Sequence, residues 1–222
     1  MKNLILVPAL ILSFIALPTL AVAEVSPLAG KIIALDAGHG GTEGGGATGY
    51  CNGVAVQEAD VNLAVRTLLK EKIDVAAGEG TAYEVAQLAS RSDRVADAEN
   101  ANSDVLISIH HNGSTNTGAN YTQSFVTQKN DKEFASYIHP KIVFALDLID
   151  KGIKNDGYGM TVYGSLPGVL TESFFITKES EACDFLNGQA HVQAEAQAMY
   201  DGLVAYFSRT ASGGGGGKGR NN

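Results

Sequence analysis

Four short segments of this chain carry side chains that could bind a metal ion and move protons. His39 lies in DAGHGG, Glu58 in QEADVNL, His110 in SIHHN and Glu172 in VLTESFF. Two imidazoles and one carboxylate can form a three-ligand zinc site that leaves a fourth position open for water or substrate. A separate glutamate beside that position can take up and release a proton. Together these residue types indicate hydrolysis of an amide or peptide bond.

Three of these residues, taken alone, also have a purely structural explanation, and the fourth has a competitor. His39 could be incidental in a glycine-rich turn. Glu58 could simply favour a helix N-terminus, where the helix dipole stabilises any carboxylate. Glu172 could be an exposed charge on an edge strand. His110 competes with His111, because alternation along a strand places the two rings on opposite faces and only one can easily join His39.

The four segments, in this order, resemble the zinc-dependent N-acetylmuramoyl-L-alanine amidases of the amidase-3 type. The resemblance extends from about Gly30 to Phe207. Enzymes of this family cut the amide bond that joins the muramic acid lactyl group to the stem peptide of peptidoglycan. The resemblance therefore implies the same substrate, as polymer or as muropeptides, and zinc (Zn²⁺) as the cofactor.

The resemblance also implies roles for individual residues. It selects Glu58 as a zinc ligand over Asp60, which as a helix residue two positions on should point to a different side. It selects His110 over His111, because the family's ligand directly follows Ser-Ile, and it makes His39 the third ligand. His111 replaces a small residue, and we expect it either to line the cleft or to be exposed.

Glu172 is the implied catalytic residue. A carboxylate inside an apolar strand is costly to bury without compensation, which favours a glutamate that faces the metal. Zinc would bring the pKa of a bound water toward about 7. Glu172 would take a proton as this water attacks the amide carbon, and would then protonate the leaving nitrogen. Burial would raise the pKa of Glu172 and the zinc charge would lower it, and the sequence leaves that balance open.

Five other polar residues receive structural interpretations. Asp36 is expected to orient an imidazole by accepting its other N–H. Arg91 matches an arginine that usually follows the family's second strand, and we interpret it as structural. We interpret Arg94 as a solvated helix residue. His139 and His191 lie in helical stretches away from the motifs, and are expected to be ordinary surface or core residues.

The N-terminus and the charge of the chain set expectations about location and partners. Residues 1–23 have the pattern of a secretory signal peptide that ends in Ala21-Val22-Ala23, the alternative being a membrane anchor. We expect export to the periplasm or the medium, without stable membrane association after cleavage. The formal net charge of −8 argues against a nucleic-acid partner. It also gives no broad attraction to an anionic wall, so substrate affinity must come from local contacts.

The length of one internal segment bears on regulation. Some family members carry an extra helical insertion that covers the zinc until an activator removes it. Between Tyr121 and Thr161 this chain has room for a strand and one helix and little more. We therefore expect an uncovered site that requires no activator protein. A monomer is the expected state, although the sequence does not fix it.

The two cysteines, Cys51 and Cys183, follow two different metal-site segments. An even number of cysteines in an exported chain suggests a disulfide. Two buried free thiols are an equally good interpretation, because free cysteine packs well as a small hydrophobic residue.

Alternation of strands and helices predicts an α/β fold, with helices on both faces of a largely parallel sheet. The resemblance adds a twisted, mixed sheet of about six strands. One catalytic domain is expected over residues 24–209, and residues 210–222 are expected to be a disordered Gly-rich tail. The predicted strands are 31–37, 81–89, 104–110, 121–128, 160–163 and 169–176. The predicted helices are 58–72, 92–102 with Ser92 as the N-cap, 131–151 with a kink at Pro140, 179–186 and 191–207.

Two other functions remain compatible with these residues. A zinc peptidase that cuts a different peptide bond would use the same chemistry. An inactive wall-binding module could keep the fold without hydrolysis, although the presence of all four key residues weighs against it.

Overall fold

A six-stranded mixed sheet forms the centre of the fold. The computed structural model describes residues 25–77, 81–155 and 159–212. In chain order the elements are β1 (Ile32–Ala37), β2 (Thr48–Cys51), β3 (Val54–Gln57), α1 (Glu58–Ala77), β4 (Thr81–Glu84), α2 (Arg91–Asn100), β5 (Val105–Asn112), β6 (Tyr121–Val126), α3 (Lys129–Leu146), β7 (Ile149–Asn155), a 3-10 helix (Gly159–Val162), β8 (Gly168–Phe175), α4 (Glu179–Asn187) and α5 (Ala190–Ser212).

The strand order is β4-β1-β5-β8-β6-β7. All neighbouring strands run parallel except β6 and β8, which pair antiparallel. The prediction of a mostly parallel, mixed sheet of about six strands is therefore confirmed. Because β1, β5 and β8 are parallel neighbours, their carboxyl ends meet at one edge of the sheet, where sites gather in folds of this kind.

Helices cover both faces of the sheet, as predicted. On one face, α1, α3 and α5 pack on a large apolar core that takes Ile107 and Ile109 from β5. On the other face, Leu106 of the same strand joins a smaller cluster with α2 and the 3-10 helix. This alternation is the period of two expected for a strand buried on both sides.

Three segments differ from the sequence-based prediction. Residues 48–57, for which no strand is predicted, form the antiparallel β2–β3 hairpin. The helix expected to reach residue 151 ends at Leu146, where Asp147 adopts a left-handed conformation (φ 52°), and the chain continues as edge strand β7. The strand predicted at 160–163 is wrong, because these residues belong mainly to the 3-10 helix. Pro140 lies inside α3.

The start of α2 also differs by two residues. The N-cap is Ser90, whose side chain accepts a hydrogen bond from the backbone N–H of Asp93. Ser92, the predicted cap, lies in the first turn, and its hydroxyl contacts that of Ser90.

The predicted signal peptide lies outside the described residues, as do residues 213–222 of the predicted tail. Helix α5 continues to Ser212. In the ranges that the structure describes, no helix combines the length and apolar character needed to cross a bilayer.

Cys51 and Cys183 form a disulfide with a Cα–Cα distance of 4.8 Å. The bond joins the β2–β3 hairpin to α4. Of the two interpretations that the sequence left open, the disulfide is therefore the correct one, not two free thiols. Because the two residues are 132 positions apart in sequence, the crosslink greatly restricts the unfolded chain.

Removal of this disulfide by the double substitution Cys51→Ser and Cys183→Ser should lower the free energy of unfolding by about 2–5 kcal/mol. Urea denaturation followed by circular dichroism measures the change. Reductant should destabilise the unmodified protein by a similar amount and should leave the double variant unaffected. Equal unfolding midpoints for the oxidised and the reduced protein would contradict the prediction.

Candidate metal centre

The four site residues predicted from the sequence line one cleft at the carboxyl edge of the sheet, with a volume of about 180 Å³. His39 follows β1 after one glycine. His110 lies near the end of β5, and Glu172 is its direct neighbour on β8. Glu58 is the first residue of α1. Parallel pairing of β1, β5 and β8 therefore brings together residues that are far apart in sequence.

His39, Glu58 and His110 each point a ligand atom toward a common centre, and these atoms all lie within 4.8 Å of one another. Glu58 Oε1 is 3.0 Å from His110 Nδ1 and 3.2 Å from His39 Nε2. Zinc bonds of about 2.0–2.1 Å in a tetrahedral site would place ligand atoms about 3.3 Å apart. The donor set and the two distances from Glu58 therefore fit a zinc ion, whereas Asp60 is exposed and is not one of the three.

Glu58 is the most buried of these three groups, with 4% of its surface exposed. Its Oε2 accepts from the backbone N–H of Ala47 (2.9 Å), and its Oε1 accepts from the backbone N–H of His111 (3.2 Å). Burial raises the pKa of Glu58, but hydrogen bonds with His110 and His39 outweigh it and hold the pKa well below its usual range. The group is thus a fixed negative charge, which a cation at this point would stabilise.

His39 is held in a left-handed backbone conformation (φ 62°), which is uncommon for a residue with a side chain. Its Nε2 faces Glu58, while its Nδ1 lies 3.7 Å from Glu43 Oε1. The hydrogen bond with Glu58 raises the pKa of His39, although burial opposes the shift. A metal would have to displace a proton from this ring, so binding should weaken as the pH falls.

Arg94 holds the loop that carries His39, and the prediction that Arg94 is solvated is wrong. It is 1% exposed, and all five of its N–H donors find acceptors. These acceptors are Asp36 Oδ1 and the carbonyl oxygens of Ala37, His39 and Leu88, together with Glu43 Oε2. Four of the five acceptors lie in residues 36–43 around His39, so the guanidinium fixes the strained turn.

Asp36 and Arg91 also differ from expectation. Asp36 accepts from Arg94 and from Ser108 Oγ (2.7 Å), and Glu43 takes its predicted place beside an imidazole. Arg91 is exposed and lines the cleft, and its side chain forms no hydrogen bond or ion pair with the other described residues. The structural role assigned to Arg91 therefore belongs to Arg94.

Glu172 is 8% exposed and lines the same cleft. Its Oε2 has no hydrogen-bond partner within the described part of the chain. Burial, and next the charges of Glu58 and Glu195, raise its pKa well above the usual value. An unpaired buried carboxyl oxygen is costly, and it suits a group that exchanges a proton with a ligand or stabilises a nearby cation.

His111 is among the residues that line the cleft, which confirms one of the two expectations for it, and it is not exposed, so the other is wrong. Its side chain is fully buried on the opposite face of β5 from His110, between Asn62 Oδ1 (2.7 Å) and Glu195 Oε2 (2.9 Å). The other two histidines lie outside the cleft, in agreement with their prediction as ordinary residues. His139 contacts Ser124 and Asp150, and His191 contacts Glu181.

Two glycines leave room for the imidazole rings. A Cβ atom on Gly38 would lie 2.1 Å from His110 Nε2. A Cβ atom on Gly46 would lie 2.5 Å from Glu58 Oε2 and 2.6 Å from His39 Cδ2. Gly46 also has a positive φ of 70°, which any other residue would adopt with strain.

Comparison with known proteins identifies the family. Residues 33–205 match Amidase_3, described as N-acetylmuramoyl-L-alanine amidase. This chain belongs to the amidase-3 family. The predicted family and enzyme class, a cell-wall N-acetylmuramoyl-L-alanine amidase, are thereby confirmed.

Similar proteins agree with this membership. The amidase is 34% identical to the Bacillus subtilis protein YqiI, described as uncharacterized, over 82% of this chain and 88% of that protein. It is 30% identical to the N-acetylmuramoyl-L-alanine amidase LytC of B. subtilis over 82% of this chain, but spans only 36% of LytC.

Solved structures share the fold. The catalytic domain of the amidase CwlV from Bacillus (Paenibacillus) polymyxa var. colistinus has a TM-score of 0.71 at 25% identity, covering 80% of this chain and 98% of that one. The CwlD amidase of Clostridioides difficile, solved in complex with the GerS lipoprotein, has a TM-score of 0.64 at 24% identity, covering 81% of this chain and 100% of that one.

Arg94→Met should lower the free energy of unfolding of the amidase by about 3–5 kcal/mol, because it leaves the Asp36 carboxylate buried without its partner. Arg91→Met, on the same helix, is the matched control and should have little effect on stability. Chemical denaturation of both variants measures the difference. An equal loss of unfolding free energy in the two variants, or a larger loss in Arg91→Met, would contradict a structural role for the buried Arg94 side chain.

Glu172→Gln should stabilise the metal-free amidase in a pH-dependent way. In the unfolded chain Glu172 loses its proton near its ordinary pKa of 4.5, whereas in the fold its pKa is raised. Folding therefore loses stability as the pH rises above about 4.5, by up to about 1.4 kcal/mol per pH unit, until the folded pKa is reached. The Gln side chain does not ionise, so the variant does not lose this stability as the pH rises. Unfolding in the presence of chelator from pH 4 to pH 8 should show its advantage growing with pH, and a constant difference would refute the raised pKa.

Proposed function

We propose that this amidase is a zinc-dependent hydrolase that cleaves the amide bond between N-acetylmuramic acid and L-alanine of the peptidoglycan stem peptide. The observation that carries the proposal is the convergence of His39, Glu58 and His110 around one point. Glu172, a buried and unpaired carboxyl group, lines the same cleft. Family membership supplies the class of bond, and the donor set supports zinc as the metal.

His39, Glu58 and His110 would hold the ion. Bound zinc would supply Lewis acidity toward the scissile carbonyl and would lower the pKa of a coordinated water. The ligands' surroundings support this role: Glu58 is fixed by two backbone N–H groups, and His39 by the loop that Arg94 anchors. Rigid ligands of this kind keep the geometry of a site when the substrate arrives.

Glu172 would be the group that moves the proton. As a base it would take a proton from the attacking water, and as an acid it would give a proton to the departing L-alanine nitrogen. Its raised pKa in the metal-free fold favours the acid form, and a nearby cation would shift the pKa back down. One carboxyl group between these two influences suits both halves of the reaction.

The same proposal covers location and partners. The signal-like N-terminus and the cell-wall amidases among the relatives support export, with peptidoglycan or muropeptides as the substrate. Independence from an activator and a monomeric state stay predictions. CwlD, of similar fold, was solved with a lipoprotein bound, so an assay of this chain alone is needed.

The proposal predicts that Glu172→Gln keeps zinc but loses about 10²–10⁴-fold of the turnover. His110→Ala should lose both zinc and activity, since it removes a ligand. Purified peptidoglycan is digested with each protein and the products are analysed by mass spectrometry, with and without chelator. Glu71→Gln, which changes an exposed carboxylate on α1, is the control and should match the unmodified protein.

Different products would decide between the proposal and its rivals. Free stem peptides that begin with L-alanine support the amidase reaction. Cleavage between two amino acids would indicate a zinc peptidase instead. Binding to the polymer without hydrolysis at any zinc concentration would indicate a wall-binding module. Full activity in chelator would overturn the metal dependence.

A further inference from the structure

A chain of buried polar side chains lies behind the metal centre, on the opposite face of β5. His111 Nδ1 is 2.7 Å from Asn62 Oδ1, and His111 Nε2 is 2.9 Å from Glu195 Oε2. Ser173 Oγ donates to Glu195 Oε1 at 2.5 Å. At the other end, Asn62 Nδ2 donates to the carbonyl oxygen of Gly38 at 2.8 Å. All four side chains are 1% exposed or less.

Every member of this hydrogen-bonded chain except Glu195 is next to a residue of the proposed site. Gly38 precedes His39, His111 follows His110, and Ser173 follows Glu172. Asn62 is one helical turn after Glu58 on α1. Each of the four site residues thus has a buried neighbour in the hydrogen-bonded chain, although the four come from distant parts of the sequence.

Glu195 connects the two strands of this arrangement. It lies on α5. One of its carboxylate oxygens contacts His111 on β5, and the other accepts a hydrogen bond from Ser173 on β8. His110 and Glu172 are direct partners in the β5–β8 register. Glu195 thereby fixes, from behind, the relative position of the strand that carries a proposed ligand and the strand that carries the proposed proton carrier.

A second contact links the hydrogen-bonded chain of side chains to the proposed metal ligands. The backbone N–H of His111 donates to Glu58 Oε1, the oxygen that faces both imidazoles. A shift of the His111 ring would move this N–H and the adjacent His110. The position of His111 depends on Glu195 and Asn62, because its two ring nitrogens both face oxygen atoms of these side chains.

We propose that Glu195 is a positioning residue of the amidase, which acts through His111 and Ser173 to hold the metal ligands and Glu172 in register. The inference rests on the proposed function, because it concerns the same site. Supporting groups behind metal ligands commonly set metal affinity or activity by about 10–100-fold. Glu195 touches neither substrate nor metal, so its effect must appear as lost preorganisation rather than as a lost contact.

Glu195→Gln tests the proposal, because it keeps the volume of the side chain and replaces one acceptor by a donor. Zinc affinity is measured by competition with a chromophoric chelator, and kcat and KM on muropeptides are measured at saturating zinc. The expected result is a zinc Kd about 10–100-fold weaker, with kcat lowered and KM little changed. Ser173→Ala, a milder change, should weaken zinc binding in the same direction.

Asp131→Asn is the matched control. Asp131 is equally buried at 1% exposure and accepts hydrogen bonds from three backbone N–H groups, of Thr127, Gln128 and Gly168, but does not line the cleft. The Asp131→Asn substitution should lower the free energy of unfolding without changing the zinc Kd. This comparison separates positioning from general loss of stability, which thermal melts of all variants record.

The outcomes separate the inference from the function on which it rests. If the unmodified protein binds zinc and cleaves, but Glu195→Gln has the same Kd and kcat, only the positioning role is overturned. If Asp131→Asn weakens zinc binding as much, the role is also overturned. If Glu195→Gln fails to fold, an unchanged zinc Kd in Ser173→Ala overturns the positioning role. An unmodified protein that binds no zinc overturns the proposed function and the inference together.

Discussion

Burial of negative charge at one edge of the sheet is the constraint on which this structure depends. Four carboxylates there are 8% exposed or less: Asp36, Glu58, Glu172 and Glu195. A buried ion without compensation costs several kcal/mol. Arg94 compensates Asp36, and His111 and Ser173 satisfy Glu195. Glu58 has two imidazoles and two backbone donors, while Glu172 keeps an unpaired oxygen. The carboxyl oxygen without a partner lies in the cleft, where a cation and a substrate would complete the site.

The sequence predicted the central sheet and the approach of the site residues because those depend on strong local patterns. Residues 105–110 alternate so regularly that His110 and His111 could be assigned to opposite faces, as the structure has them. Apolar runs marked β1 and β8 as buried strands. A polar residue directly after such a strand, in a parallel sheet, must lie at its functional edge. The resemblance then chose between neighbours, which periodicity alone left open.

Other features depend on contacts that a single sequence does not display. Arg94 looks like any helix arginine, because four of its five acceptors lie on residues that are 51–58 positions away in sequence. Glu195 lies in a helix without a motif, so nothing marked it as the partner of His111. Strand β7 has little buried surface, and hence no apolar alternation to reveal it. The β2–β3 hairpin did carry a signal: Asn52-Gly53, with φ of 50° and 81°, is the dipeptide preferred in tight hairpin turns.

The central claim is that one metal ion is shared by His39, Glu58 and His110. Anomalous diffraction from zinc-soaked crystals, recorded above and below the zinc absorption edge, tests it most directly. The account predicts a single strong difference peak about 2 Å from one atom of each of these three side chains, with Glu172 beside it but outside bonding distance. A peak held by other residues, or none at this position with zinc present in excess, would contradict it.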